Sequence, residues 1–172
     1  LFFNGNTNSN NSEFDNYLKR LGYKFKNENH DFGGYVILKK KKTSLIMDVG
    51  SAPNPNYTKD YQSGALSFEI IRNGQKLISN CGYFNGENTK LNEISKSTAT
   101  QSTLIIDDYS SCKIDDSSNV NQGLKILKKN TVFEKNYWKI IAAHDGYLKK
   151  YNSIHEREIE FYPEQMTFVG MD

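Results

Sequence analysis

The pair Asn73-Gly74 constrains this chain more than any other two residues. It lies inside Arg72-Asn73-Gly74-Gln75, between two runs of alternating apolar and polar residues that together span Tyr61 to Tyr83. Asn-Gly between such runs is the strongest short-range hairpin signal, because both central residues of the tight turn take positive φ. The spacing therefore predicts a β-hairpin. In its first strand Leu66, Phe68 and Ile70 fall on one face, and Ala65, Ser67, Glu69 and Ile71 on the other. One face is set for a core and the other for polar groups.

The same pattern recurs along the chain. Tyr35 to Leu38 and Ser44 to Val49 are apolar runs flanking Lys39 to Lys42, which reads as a hairpin turn. Such a basic run could touch an acidic polysaccharide, but a solvated turn is its more usual use. Further strands are expected at Ser102 to Asp107, Leu124 to Leu127, Tyr137 to Ala143, Ile154 to Tyr162 and Met166 to Val169. Ser51 to Lys59, Phe84 to Ser97 and Ser110 to Ser118 read as loops or turns, and Asn4 to Ser12 as a solvated polar loop. Tyr17, Leu18 and Leu21 suit one or two helical turns ended by Gly22. Many short strands without a long helical period indicate an all-β antiparallel sandwich. Residues 1–33 then form a connecting segment and loop with a short helix, and residues 34–172 one β-sandwich domain. The chain starts without methionine and stops at Val169 to Asp172 inside a strand pattern, so it is expected to be a piece of a longer protein, cut at both ends.

Composition removes several classes of function. With 172 residues, 37% of them hydrophobic, one real core can form. Lysine and arginine number 22 against 20 acidic residues, a net +2, which argues against nucleic acid or a membrane surface as partner. No apolar run reaches the roughly 20 residues of a membrane span, and no signal-peptide order follows Leu1. Cys81 and Cys112 lack the spacing of a disulfide framework or a metal site.

Chemistry-bearing residues are few. The three histidines are His30, His144 and His155. His144-Asp145-Gly146 is first of all a turn signal. His155 and Arg157 share one face of an alternating strand, opposite Glu156 and Glu158. Such a face can receive a carboxylate or sulfate, although a cross-strand polar pair is its commoner role. The hydroxyl-rich run Ser97 to Thr103 fits backbone hydrogen bonding better than nucleophilic catalysis. Tyr57, Tyr61, Tyr83, Tyr109 and Tyr147 would offer sugar-stacking rings if they lined one cleft. No GxSxG, P-loop, HExxH or GxGxxG pattern is present.

One ordered set of stretches is specific as a set: Gly34 to Leu38, Asp48-Val49-Gly50, Gly64 to Glu69, Leu77 to Gly82, Ser97 to Thr103, His144 to Tyr147 and His155 to Arg157. In that order they resemble the C-terminal region of the heparinase II/III family of polysaccharide lyases, from bacterial members. The resemblance implies a large antiparallel super-sandwich that follows an α/α toroid absent here. It also implies β-elimination on uronic-acid polysaccharides such as glycosaminoglycans. That chemistry neutralises the uronic carboxyl, removes the adjacent proton with a base and protonates the leaving oxygen. The main catalytic residues are expected in the toroid, so the chain alone is not expected to be active; joined to it, the protein would be a carbon–oxygen lyase. Substrate-binding candidates are His144, His155, Arg157 and Tyr61.

The family's zinc ligands fall at Gln62, Asn80 and Gln101. Neutral amides bind Zn²⁺ far more weakly than imidazole and carboxylate, so no zinc or other cofactor is expected. The three amides could instead form a polar cluster that orders the hairpin. The expected partner is an acidic polysaccharide, with no nucleic acid, and the family points to a periplasmic or secreted protein. The alternative is a non-catalytic carbohydrate-binding or structural module with a degenerate metal site.

Overall fold

The structure, a computed structural model, describes residues 11–23, 29–58, 60–84, 86–115 and 119–172. The predicted polar loop from Asn4 lies almost wholly outside the described residues, and its last two residues belong to a helix, α1 (Asn11–Arg20). Gly22 follows at φ +75°, the left-handed conformation that stops a helix. The first sheet holds β1 (His30–Phe32), β2 (Tyr35–Lys40), β3 (Thr43–Asp48), β4 (Phe68–Arg72) and β5 (Gln75–Ile78), antiparallel in sequence order. After α2 (Thr89–Lys96) comes a small hairpin of β6 (Lys113–Ile114) and β7 (Val120–Gln122). The second sheet holds β8 (Ile126–Phe133), β9 (Trp138–His144), β10 (His155–Tyr162) and β11 (Thr167–Met171), with α3 (Leu148–Tyr151) between β9 and β10. This is the all-β antiparallel sandwich that the strand pattern indicates. The first sheet takes in β1, ahead of Gly34.

The predicted Asn73-Gly74 turn forms, and the predicted Lys39 to Lys42 turn forms only at Lys41-Lys42, because Lys39 and Lys40 pair with Ser44 and Thr43 inside the ladder. Asn73 and Gly74 have φ of +53° and +80°, as a tight hairpin turn demands, and Lys41 has φ of +52° between β2 and β3. The core lies between the sheets. Val36, Leu38, Leu45, Met47 and Ile70 pack against Trp138, Ile140, Ala142, Ile159 and Phe161. Full burial of each large side chain is worth about 1.5–3 kcal/mol. Trp138 and Phe161 meet edge to face at 5.3 Å between centroids, and Phe161 stacks on Phe168 at 4.1 Å.

Several expectations need correction. The predicted turn from Ser110 to Ser118 contains β6, and the strand expected at Leu124 to Leu127 begins at Ile126 and continues to Phe133. The first hairpin strand is shorter than its alternation suggests, because Leu66 takes a φ of +60° and regular strand begins only at Phe68. Glu69, assigned to the polar face, is 1% exposed: Asn80 N–H donates to its Oε1 at 3.1 Å, and Lys76 pairs with its Oε2 at 3.1 Å. The predicted loop from Phe84 to Ser97 contains α2, capped by Asn88, whose side chain accepts from Leu91 N–H. Its apolar Leu91 and Ile94 are exposed while Ser95 and Lys96 are buried, so the face that packs is polar and no apolar stripe announces the helix. The predicted strand from Ser102 to Asp107 is irregular. Asp107 and Asp108 both take positive φ and close a turn whose only ladder contact is the bridge between Ile106 and Tyr109.

Candidate functional site

Antiparallel order brings the start of β2, the end of β3, the start of β4 and the end of β5 to one end of the first sheet. A cavity of about 440 Å³ opens there. Tyr35 and Asp48, cross-strand partners, supply one wall, and Asp60, Tyr61 and Gln62 come from the loop before β4. Asn80 and Tyr83 come from the segment after β5, and Gln101 from the turn that follows α2. Gly64 and Ser67 complete the lining; a Cβ at Gly64 would press on Ser67 Oγ and Gln101 Cγ at 3.2 and 3.4 Å.

The three amides thus converge on one cavity, each with its own bonding. Asn80 Nδ2 donates to Ser67 Oγ at 3.2 Å, and its Oδ1 accepts from Ser102 N–H at 2.8 Å, with the Ser102 hydroxyl 2.9 Å away. Gln101 Nε2 donates to Ser95 O and Thr100 Oγ1, both at 3.2 Å. Gln62 Nε2 is buried with no hydrogen-bond partner. These residues do not fit a zinc ion. The Asn80 oxygen is already committed, the ligands are neutral amides, and no group of three or more His, Cys, Asp or Glu side chains among the described residues is arranged for a metal.

The cavity's electrostatics are set by Asp48. Burial pushes its carboxyl up to about 7, against a smaller opposing effect of the Gly50 N–H that donates to Oδ1 at 2.8 Å. Burial, and then Asp48 itself, raise Tyr35. Tyr61 is raised by burial and by Cys112, whose sulfur lies 3.7 Å from its hydroxyl. Asp48 can therefore hold or release a proton near neutrality. Among the described residues lining the cavity there is no Lys, Arg or His.

His144, His155 and Arg157 are buried elsewhere, between the second sheet and the back of the cavity wall. His144 and His155 are cross-strand partners on β9 and β10. Gly146 N–H donates to His144 Nδ1 at 3.0 Å, which makes that nitrogen the acceptor and leaves the proton on Nε2. His144 Nε2–H then donates to His155 Nδ1 at 3.1 Å, and His155 Nε2–H to Asp172 Oδ1 at 2.8 Å. Arg157 donates from Nε and Nη2 to the two oxygens of Asp172, both at 2.7 Å, and from Nη1 to Leu66 O and Ser102 O. Burial, then His155, lowers His144 to about 4; burial also lowers His155, outweighing Asp172. Asp172 stays below its ordinary value because the bonds from Arg157 and His155 outweigh the effect of burial. Gly146 is required here: a Cβ would stand 2.6 Å from Ser111 O and 3.0 Å from His144 Nδ1.

Of the named tyrosines, Tyr61 and Tyr83 line the cavity. Tyr147 is fully buried with its hydroxyl on Leu104 O, Tyr57 is exposed, and Tyr109 packs against Tyr151 under Lys150. Sequence reasoning missed Tyr35, Asp48 and Asp60 as members of the site. The available signal for Asp48 was the Asp-Val-Gly triplet, whose side chain caps the N–H two residues on.

The profile of the family described as Heparinase II/III-like, C-terminal, matches residues 28–172. The chain belongs to that family. Two solved structures of a heparan sulfate lyase from Pedobacter heparinus, wild type and mutant, each share 15% identity with the heparinase II/III-like chain. Each aligns at a TM-score of 0.61 over 89% of this chain and 25% of its own. A structure of heparinase III gives 18% identity and a TM-score of 0.59 over 90% of this chain and 26% of its own. The family domain thus spans about a quarter of the structures it matches. No curated protein sequence matches it. Among the described residues no helix is long and apolar enough to cross a membrane.

Proposed function

We propose that this domain is the glycan-facing sandwich of a polysaccharide lyase that cleaves uronic-acid-containing chains by β-elimination. Base, acid and the group that neutralises the uronic carboxyl come from outside the described residues, so the domain is inactive alone. The observation that carries the reading is the convergence of Gln62, Asn80 and Gln101, with Tyr61, Tyr83 and Asp48, on one cavity at the strand ends. Neutralisation is the decisive requirement, since a carbanion beside an ionised carboxylate is prohibitive without compensating charge or hydrogen bonds. The lining supplies tyrosines, amides and carboxyls, which suit holding and orienting sugar hydroxyls. Export to the periplasm or medium goes with such a substrate.

The test is the full-length protein on a panel of uronic-acid polysaccharides, followed by the ultraviolet absorbance of the unsaturated product. Its appearance supports the reading, and its absence across the panel overturns it. A non-catalytic carbohydrate-binding role is the second reading, favoured by the amide and hydroxyl character of the cavity; glycan binding without product would select it.

A further inference from the structure

The geometry points to the cavity at the strand ends as a subsite for an uncharged, hydroxyl-rich sugar unit, not for the uronate. This rests on the glycan-facing reading above and specifies which unit of the glycan enters. Three observations carry it.

The first is hydrogen-bond character. The lining brings the side-chain amides of Gln62, Asn80 and Gln101 together with the Ser67 hydroxyl. A sugar hydroxyl both donates and accepts, as amides and the Ser67 hydroxyl do, so each can serve the other. Tyr61 and Tyr83 line the same cavity, so apolar ring atoms stand beside the amides.

The second is charge. Asp48 and Asp60 contribute two carboxyl groups, and no cation stands among the described lining residues. The cations close by are engaged. Arg157, behind the wall, gives its nitrogens to Asp172, Leu66 and Ser102, and Lys76 pairs with Glu69. The Lys96 ammonium stands over the Tyr83 ring, 5.8 Å from its centroid. An entering carboxylate or sulfate meets the Asp60 carboxylate, and Asp48 when ionised, with no compensating cation among the described lining residues, a penalty on the order of tenfold in affinity.

The third is size. About 440 Å³ lies within the roughly 300–1,000 Å³ of small-ligand sites, room for a sugar ring rather than an ion.

Calorimetric titration of the full-length protein at low salt tests this, with a panel of neutral oligosaccharides against oligouronates of equal length. A neutral oligosaccharide is expected to bind, with its affinity lowered about tenfold by Gln62→Ala and by Tyr83→Leu. The second variant keeps the test valid if the first fails to fold. Asp60→Asn, at an exposed side chain, is expected to narrow the preference for neutral over uronate oligosaccharides about tenfold. Three results overturn the inference: oligouronate binding that falls with Gln62→Ala, neutral binding that neither variant changes, or no neutral binding across the panel. Absence of unsaturated product would overturn the lyase reading while leaving these binding outcomes intact, so the two failures are distinguishable.

Discussion

Two of the internal polar regions among the described residues differ in one respect. Along Gly146, His144, His155, Asp172 and Arg157 every side-chain nitrogen of the two histidines and the arginine has a hydrogen-bond partner. Around the cavity Gln62 Nε2 has no partner and the Asp48 carboxyl is held near neutrality. A saturated network spends its polarity on the fold, whereas an unsaturated one keeps bonding capacity for a ligand. The two are mechanically joined: Arg157 Nη1 grips Leu66 O and Ser102 O, and Ser102 in turn holds Asn80 at the cavity wall. The saturated region positions the unsaturated one.

The comparison is broken or sharpened by four experiments. The largest effect belongs to Arg157→Met, which leaves two backbone carbonyls without this donor and Asp172 with His155 alone. A loss of about 3 kcal/mol in urea unfolding is expected; a loss under about 1 kcal/mol would show that the network is not structural.

Next is acid. His144 is held at about 4 against an ordinary 6.5, so between those values the unfolded chain binds the extra proton. Stability present above pH 6.5 is therefore lost as pH falls towards 4, on the order of 3 kcal/mol, and levels off below. Asp48 titrates across the same window with the opposite sign, so the effect is read as a difference: the stability of the parent relative to His144→Gln should fall by about 3 kcal/mol from pH 6.5 to pH 4.

Asp48 gives the opposite sign. Its folded-state value of about 7 lies above the ordinary 3.8, so stability present below pH 4 is lost as pH rises to 7. Asp48→Asn, which keeps the oxygen that accepts from Gly50 N–H, should raise stability at pH 8 by about 2 kcal/mol. A destabilised variant would mean that the carboxylate is stabilising and the cavity is no different from the network. The smallest effect is expected of Gln62→Leu, which removes an unpartnered donor and should change thermal stability by less than about 1 kcal/mol, upward.

Local pattern made both tight hairpins legible, Asn73-Gly74 through its positive φ values and Lys39 to Lys42 through apolar runs on either side. It made His155 and Arg157 legible as neighbours on one strand face, since period two is a property of any strand. It did not show that this face points inward to Asp172. The helix α2 escaped because its packed face is Ser95 and Lys96, and the buried Glu69 escaped because its partners, Lys76 and the Asn80 backbone, lie across the hairpin.

By itself the sequence determined where the chain turns and which side chains share a strand face, because those depend on φ preference and on the pleat. Only the tertiary structure decided which polar groups are satisfied. Saturation depends on partners far apart in the chain, as Arg157 with Leu66 and Asn80 with Ser102 demonstrate, and no local pattern encodes such distances.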